Sequence, residues 1–152
     1  MIRKAKIQDV NAIYALLTDF AGQGFLLARP LSKLYDDIRD FFVFVDDDDE
    51  TVLGCCALQI CWQDLAEVRS LAVRPDYWGK QIGTRLVENA FADAGNYDIK
   101  KIFVLTYNVE FFEKFGFFKI DKTQLPLKIW SDCVSCVKFP NCDETAMMRL
   151  LQ

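Results

Sequence analysis

A chain of 152 residues that is 52% hydrophobic and carries 13 Phe has the length and apolar content of one ordinary folded domain over residues 1–152, not of a disordered segment. Its formal charge of −4, with no basic face interleaved with aromatics, argues against a nucleic-acid partner. The chain contains no His, so acid–base chemistry falls to Glu, Asp, Tyr, Cys or Lys.

In chain order, Ile2 to Lys6 reads as a first strand, and Asp9 as the N-cap of a helix with Val10, Ile13, Leu16, Leu17 and Phe20 at helical spacing, ending near Gly22. The start Met1-Ile-Arg-Lys-Ala-Lys lacks the apolar core of a secretory leader. Pro30 and Ser32 open a short helix carrying Leu34, Tyr35 and Ile38. Phe41 to Val45 is a strand, and the acidic run Asp46 to Glu50 is a solvated hairpin turn into Val52 to Cys61. The apolar stretch Val52 to Trp62 is too short to span a bilayer, so no membrane partner is expected. Cys55, Cys56 and Cys61 fall in this buried-strand pattern and read as core. Six Cys without a leader suit reduced thiols and a cytoplasmic setting.

Ala66 to Val73 is the next strand, residues 83–94 a helix stopped by Gly95-Asn96, Lys101 to Thr106 a strand, and Glu110 to Phe115 a short helix closed by Gly116. Strand-like ends at Phe117–Ile120 and Thr145–Leu151 flank an irregular middle. This order predicts an α+β fold, with a mixed, largely antiparallel central sheet and helices on both faces. In the middle segment, Cys133-x-x-Cys136-x5-Cys142 has the pairing of a zinc site, but no His and no assured fourth ligand accompany it. The three thiols suit packing or a redox-sensitive disulfide as well, and no metal is expected.

The densest chemical signal is Leu71 to Leu86, where a strand ends at Val73, Pro75 turns the chain, Gly79 and Gly83 shape a loop, and a helix begins at Thr84. Such a unit aims several backbone N–H groups and a helix N-terminus at one point, the geometry that holds a phosphate or diphosphate. The spacing matches neither the three-glycine dinucleotide loop nor the Gly-Lys-Ser/Thr loop of nucleotide triphosphatases. It resembles the acetyl-CoA loop of the GNAT acyltransferase superfamily, Gln/Arg-x-x-Gly-x-Gly/Ala after a strand ending Val-x-Pro. Here Trp78 stands at the first position and Gln81 at the middle glycine, where a helical N-terminal conformation is expected to remain open to Gln. The resemblance implies the GNAT fold with acetyl-CoA as co-substrate. It places contacts at Leu71, Ala72, Val73, Gly79, Lys80, Gln81, Ile82, Gly83, Thr84, Asn108 and Phe112.

Strict alternation along Ala66 to Val73 would mix Glu67 and Arg69 with Leu71 and Val73 on one face. A bulge near Arg69–Ser70 resolves this, turning Val68, Leu71 and Val73 to the core together. GNAT enzymes carry a bulge on this strand and a general base, often Glu, at its start, so Glu67 is the candidate base. The segment Thr106 to Phe117 resembles a second GNAT signature whose usual acid is Tyr. Here that position is Phe112, which has no proton to give, so Tyr107, a neighbouring Ser or water must supply one.

The run Phe103 to Phe117, the run Ala66 to Val73 and the element Leu26-Leu27-Ala28-Arg29-Pro30 resemble a narrower family. It comprises short amino-acid N-acetyltransferases of the N-acetylglutamate synthase type, which act in arginine synthesis. The resemblance implies glutamate as the small-molecule amine acceptor, and a homodimer is compatible with it. A dicarboxylate calls for fixed guanidinium partners, with Arg29 first, Arg69 second and Lys128 a distant third. Another small amine or a protein N-terminus is the rival acceptor. Trp78, Gln81 and Phe112 also motivate a silent acyl-CoA-sensing domain.

Overall fold

The structure, a computed structural model, describes residues 1–24, 29–126 and 144–151. Within them the elements are β1 (Ile2–Lys4), α1 (Val10–Gly22), α2 (Leu31–Asp37), β2 (Phe41–Val45), β3 (Val52–Trp62), β4 (Leu65–Val73), α3 (Ile82–Asn96), β5 (Lys101–Thr106), α4 (Val109–Glu113), β6 (Phe118–Lys119) and β7 (Thr145–Leu150). The strands form one sheet of order β1-β2-β3-β4-β5-β7-β6. Every pairing is antiparallel except β4 with β5. This is the α+β arrangement expected from the element order.

Alternation along the strands sends side chains to two cores. On one face, Ile13, Leu17 and Leu34 of α1 and α2 pack on Val43, Cys55 and Ala72. On the other, Leu86, Val87 and Ala90 of α3 pack on Cys56, Val68 and Val104. A Cβ added at Gly54 would stand 3.1 Å from the Ala72 carbonyl oxygen and 3.2 Å from Leu86 Cδ1. The absence of a side chain there is what lets α3 lie against β3. A third cluster, including Cys61, Leu65, Phe103 and Ala146, covers the far end of the sheet on the face away from α3. Cys55, Cys56 and Cys61 are all buried, in keeping with the core reading. Burial pushes the Cys56 thiol up to about 12 and the Cys55 thiol higher still, so neither is a nucleophile.

Local details depart from the sequence reading at three ends. Asp9 makes no side-chain capping bond to α1. Its carboxylate instead takes a two-pronged bond from Arg3 at 2.7 and 3.1 Å and one from the Lys6 amide at 2.7 Å. An ionic partner this close outcompetes the capping geometry. Helix α3 runs through Gly95-Asn96 and is stopped by Asp98 in the left-handed conformation, φ 58°. The Asp98 amide donates to Gly95 O and the Ile99 amide to Ala94 O, both at 3.1 Å, while Ile99 is buried. That pair of bonds with its apolar contact terminates the helix as Gly commonly does. Helix α4 is shorter than expected, with Gly116 (φ 85°) closing the turn after it.

Candidate active site

Two irregularities on β4 build a cavity. Strands β4 and β5 pair only through Leu65–Lys101, Ala66–Ile102 and Glu67–Phe103, yet β4 continues to Val73 and β5 to Thr106. Beyond Glu67 the two strands therefore diverge, and their backbones line a cleft. The second irregularity is the expected bulge. Cys55 pairs with Ala72 and Ala57 with Arg69, so Ser70 and Leu71 together oppose Cys56. Ser70 sits at φ 55°, and the buried Cys55 thiol donates to its carbonyl at 3.3 Å. The extra residue shifts the alternation by one. Ala66 and Val68 before it, and Leu71 and Val73 after it, all pack toward α3.

The cleft opens into a cavity of about 1080 Å³. One wall is Val68 to Val73, the other Val104 to Asn108, and its floor is Gly79, Gln81, Ile82, Gly83 and Thr84 at the start of α3, with Phe111 and Phe112 from α4. Arg85 N donates to Gln81 O at 3.0 Å, the first closed turn of α3. The amides of Ile82, Gly83 and Thr84 precede that turn and have no carbonyl within their own helix. A Cβ on Gly83 would meet Phe111 Cζ at 3.5 Å and Val73 Cγ2 at 3.9 Å, both ordinary contacts. The fold tolerates a side chain there, so the glycine keeps the floor open toward the cavity instead.

The structure brings together Arg69, Leu71, Ala72, Val73, Gly79, Gln81, Ile82, Gly83, Thr84, Asn108 and Phe112 from the sequence-derived set, all lining this one cavity. Three others stand apart. Glu67 lies one residue behind the lining, where β4 and β5 part, and is 6% exposed. Its Oε1 is 3.4 Å from Arg69 Nε, with both side chains nearly buried, and Arg69 Nη1 donates to Gln59 Oε1 on the facing strand. Arg29 is half-buried and does not line the cavity. Lys80 does not line it either, because its ammonium rests 4.9 Å from the centre of the Tyr77 ring, where the face of the aromatic attracts it.

Gln81 lines the cavity in an unexpected conformation. Its φ of 66° is left-handed, not helical, so the backbone shape favoured by glycine persists without the glycine. Phe112 is buried and packs edge-on to Phe111 and Phe117, an apolar role in line with its missing hydroxyl. Tyr107 and Ser70 bring hydroxyls to the cavity wall. Asn108 caps α4, its Oδ1 accepting from the Phe111 amide at 3.3 Å, and its own amide donates to Thr106 Oγ1 at 2.8 Å.

Wall residues not named as contacts from the sequence include Trp78 and Glu144, and Gln59, which accepts from Arg69 behind the wall, was not named either. Trp78 donates from its indole nitrogen to Val73 O at 2.7 Å and meets Phe20 of α1 edge-on at 6.2 Å. Glu144 comes in from the residue before β7. Gln59 had a visible signal, as a lone amide within the apolar run Val52 to Trp62. Phe25 to Ala28, Lys128, Cys133, Cys136 and Cys142 lie outside the described residues. Among the described residues no group of three or more His, Cys, Asp or Glu is placed to hold a metal, and no helix is long and apolar enough to cross a membrane.

Comparison with known proteins agrees with this geometry. A model of the acetyltransferase (GNAT) family matches residues 10–117. An uncharacterized N-acetyltransferase of Chlorobaculum tepidum is 41% identical over 150 residues, 99% of this chain and 96% of that protein. The amino-acid acetyltransferase of Mycobacterium tuberculosis is 35% identical, over 87% of this chain and 76% of its own length. Its counterpart in Vibrio atlanticus is 30% identical over 84% of this chain, which spans 28% of that longer protein. Among solved structures, the N-acetylglutamate synthase of Neisseria gonorrhoeae, complexed with coenzyme A and N-acetyl-glutamate, superposes with a TM-score of 0.90 at 28% identity. That match covers 100% of this chain and 35% of the other. A Mycobacterium tuberculosis protein in complex with CoA gives a TM-score of 0.86 at 30% identity, covering 100% and 99%. The chain belongs to the acetyltransferase (GNAT) family and is an N-acetyltransferase with acetyl-CoA as co-substrate.

Proposed function

We propose that this GNAT acetyltransferase acetylates the α-amine of L-glutamate, the N-acetylglutamate synthase reaction of arginine biosynthesis. The observation that carries the reading is the buried carboxylate of Glu67 where β4 and β5 diverge, directly behind a cavity floored by a helix N-terminus. The likeness to the gonococcal N-acetylglutamate synthase supports glutamate as the acceptor. A cytoplasmic setting and a single domain over residues 1–152 belong to the same proposal.

The residues divide the work as follows. The cavity floor, at Gly79 and from Gln81 to Thr84, holds the CoA diphosphate, and Leu71 to Val73 with Asn108 and Phe112 flank the rest of that molecule. Glu67 takes a proton from the acceptor ammonium, directly or through a water. The freed amine adds to the acetyl carbonyl, and the backbone N–H at Leu71, turned by the bulge, stabilises the oxyanion. The C–S bond then breaks. A thiol with a pKa near ~8.5 is a competent leaving group, and Tyr107, Ser70 or water returns its proton. Arg29 grips a carboxylate of the acceptor. Arg69, already committed to Glu67 and Gln59, holds the base in place while it faces the cavity.

A turnover screen of acetyl-CoA over free amino acids, read by thiol release, tests the proposal. Glutamate should stand out. Equal rates with neutral amino acids would overturn the dicarboxylate assignment, and turnover confined to peptides or polyamines would replace it.

A further inference from the structure

We propose that Gln59 is a positioning residue for acetyl transfer, acting on the Glu67 carboxylate through Arg69. This role rests on the reading of Glu67 as the base, and it is independent of which amine is the acceptor.

The register of two strands brings the three side chains together. Gln59 of β3 stands directly opposite Glu67 of β4, and Ala57 stands opposite Arg69. Residues paired in this way, and residues two apart on one strand, share a face of the sheet. Gln59, Glu67 and Arg69 therefore form one polar layer. It occupies the gap between the apolar cluster around Cys55, Ala57 and Ala72 and the one around Cys61, Leu65 and Phe103. Opposite Arg69 the facing strand carries only the methyl group of Ala57, 1% exposed, which leaves the guanidinium room to lean along the sheet. Two of its nitrogens then meet the other members of the layer. Nε lies 3.4 Å from Glu67 Oε1, and Nη1 donates to Gln59 Oε1.

A planar guanidinium held at one nitrogen can still turn about that contact, whereas one held at two has its orientation set. The strand that supplies the second hold matters as well. Glu67 is the last residue of β4 paired with β5, but on its other side β4 stays paired with β3 through Glu67, Val68 and Arg69. Gln59 thus ties the guanidinium, and the carboxylate beside it, to the neighbour that does not diverge. Its chemistry suits the place. It is the one carboxamide in the otherwise apolar run Val52–Trp62, and a neutral acceptor takes an N–H without setting a second carboxylate against the one that must receive a proton. Gln59 does not line the large cavity. It faces a separate space of about 220 Å³, lined also by Lys4, Arg39, Asp40 and Asp93. Its route to the reaction is therefore through Arg69, which does line the large cavity.

Steady-state kinetics of wild type, Gln59→Met, Glu67→Gln and the double variant test this, by thiol release with the best acceptor amine at saturation and below the melting point of every variant. Gln59→Met keeps the length and flexibility of the side chain and removes the acceptor oxygen. It should lower kcat roughly 10–100-fold, up to the scale of a reacting group displaced by about 1 Å, while the KM for acetyl-CoA stays within about twofold. In the Glu67→Gln background the same substitution should cost less than about threefold, because the group it positions is already gone. A loss of equal size in both backgrounds would make Gln59 a residue of the fold and overturn the assignment. So would full turnover in Gln59→Met beside a large loss in Glu67→Gln, a result that leaves the base standing. Full turnover in Glu67→Gln would remove the base, and the positioning role with it.

Discussion

Replacing Glu67 by Gln tests the proposed chemistry most directly, because the substitution keeps the shape and removes the charge. General-base loss usually costs roughly 10²–10⁴-fold in rate, so kcat at neutral pH should fall by that factor. The loss should shrink as pH rises toward the pKa of the acceptor ammonium, since a free amine needs no base. Affinity for acetyl-CoA should hold, because Glu67 does not line the cavity proposed to receive it. Stability will change too. The side chains of Glu67 and Arg69 are 8% and 10% exposed and 3.4 Å apart, so the variant leaves a nearly buried guanidinium beside a neutral amide. Losing a partner in that setting costs about 1–3 kcal/mol, a fall of roughly 2–12 °C in Tm for a chain of this size. Rates are therefore compared well below the variant's melting point, across pH, with a thiol-release assay. A loss of equal size at every pH, or no loss, would remove Glu67 from the mechanism. A parallel drop in acetyl-CoA affinity would make it a scaffold residue.

Three further outcomes are expected. Acetyl-CoA at a hundredfold excess over its Kd should stabilise the fold by about 2.7 kcal/mol, a rise of roughly 5–11 °C in a thermal-shift titration, and a flat titration would contradict the cavity's assignment. Arg29→Ala should raise the KM for glutamate roughly 10–150-fold, the value of a charge-assisted bond, and leave that for acetyl-CoA nearly unchanged. Arg29→Lys should recover only part of the loss, because an ammonium cannot supply the two-pronged fork, whereas an unchanged glutamate KM in Arg29→Ala would move the clamp elsewhere. At Asp9, burial pushes the carboxyl up, but the Arg3 hydrogen bonds, the Lys6 amide and the Arg3 charge outweigh it and hold it below the usual carboxylate range. A depressed carboxyl stabilises the fold above its unfolded pKa of ~3.9 and loses that contribution as pH falls further. Asp9→Asn should thus lower the urea midpoint at pH 7, with a gap to wild type that closes below about pH 4, and a gap constant with pH would refute the ionic account.

Much of the fold was legible because its signals are local. The short continuous apolar runs at Phe41–Val45 and Ile102–Leu105, and the helical spacing through Val10 to Phe20, define elements without reference to anything distant. The bulge was legible for a related reason: alternation through Glu67 to Val73 puts charges into a core, and one extra residue is the simplest repair. What stayed hidden depends on which of several nearby partners a side chain takes. Nothing in the order of residues says that Arg3 will take Asp9 away from its cap, or that Lys80 will turn onto Tyr77 and leave the cavity to Gln81. The stop at Asp98 was hidden for another reason, since Gly95 is the more familiar helix terminator and only the bonds to Ala94 and Gly95 reveal the other residue. The residues expected from the strand and loop line one cavity, whereas Glu67 and Lys80, whose long side chains choose among several neighbours, lie outside its lining.

The bulge and the divergence of β4 from β5 serve one another. A strand with unbroken alternation can offer either its charged residues or its apolar ones to a given face, so a base near its start would put later polar residues into the core beneath α3. The extra residue at Ser70 breaks that constraint. Before it, Glu67 and Arg69 face away from α3, between the cluster around Leu65 and the one around Ala72. After it, Leu71 and Val73 turn toward α3 and the glycine loop. Pairing with β5 ends at Glu67, so the bulged stretch that follows is released from its neighbour where its backbone is needed. One strand thereby holds a carboxylate on one face and, along its edge, backbone unpaired with β5. An insertion or deletion in β4 would exchange those faces, and it should abolish activity even where the sheet still forms.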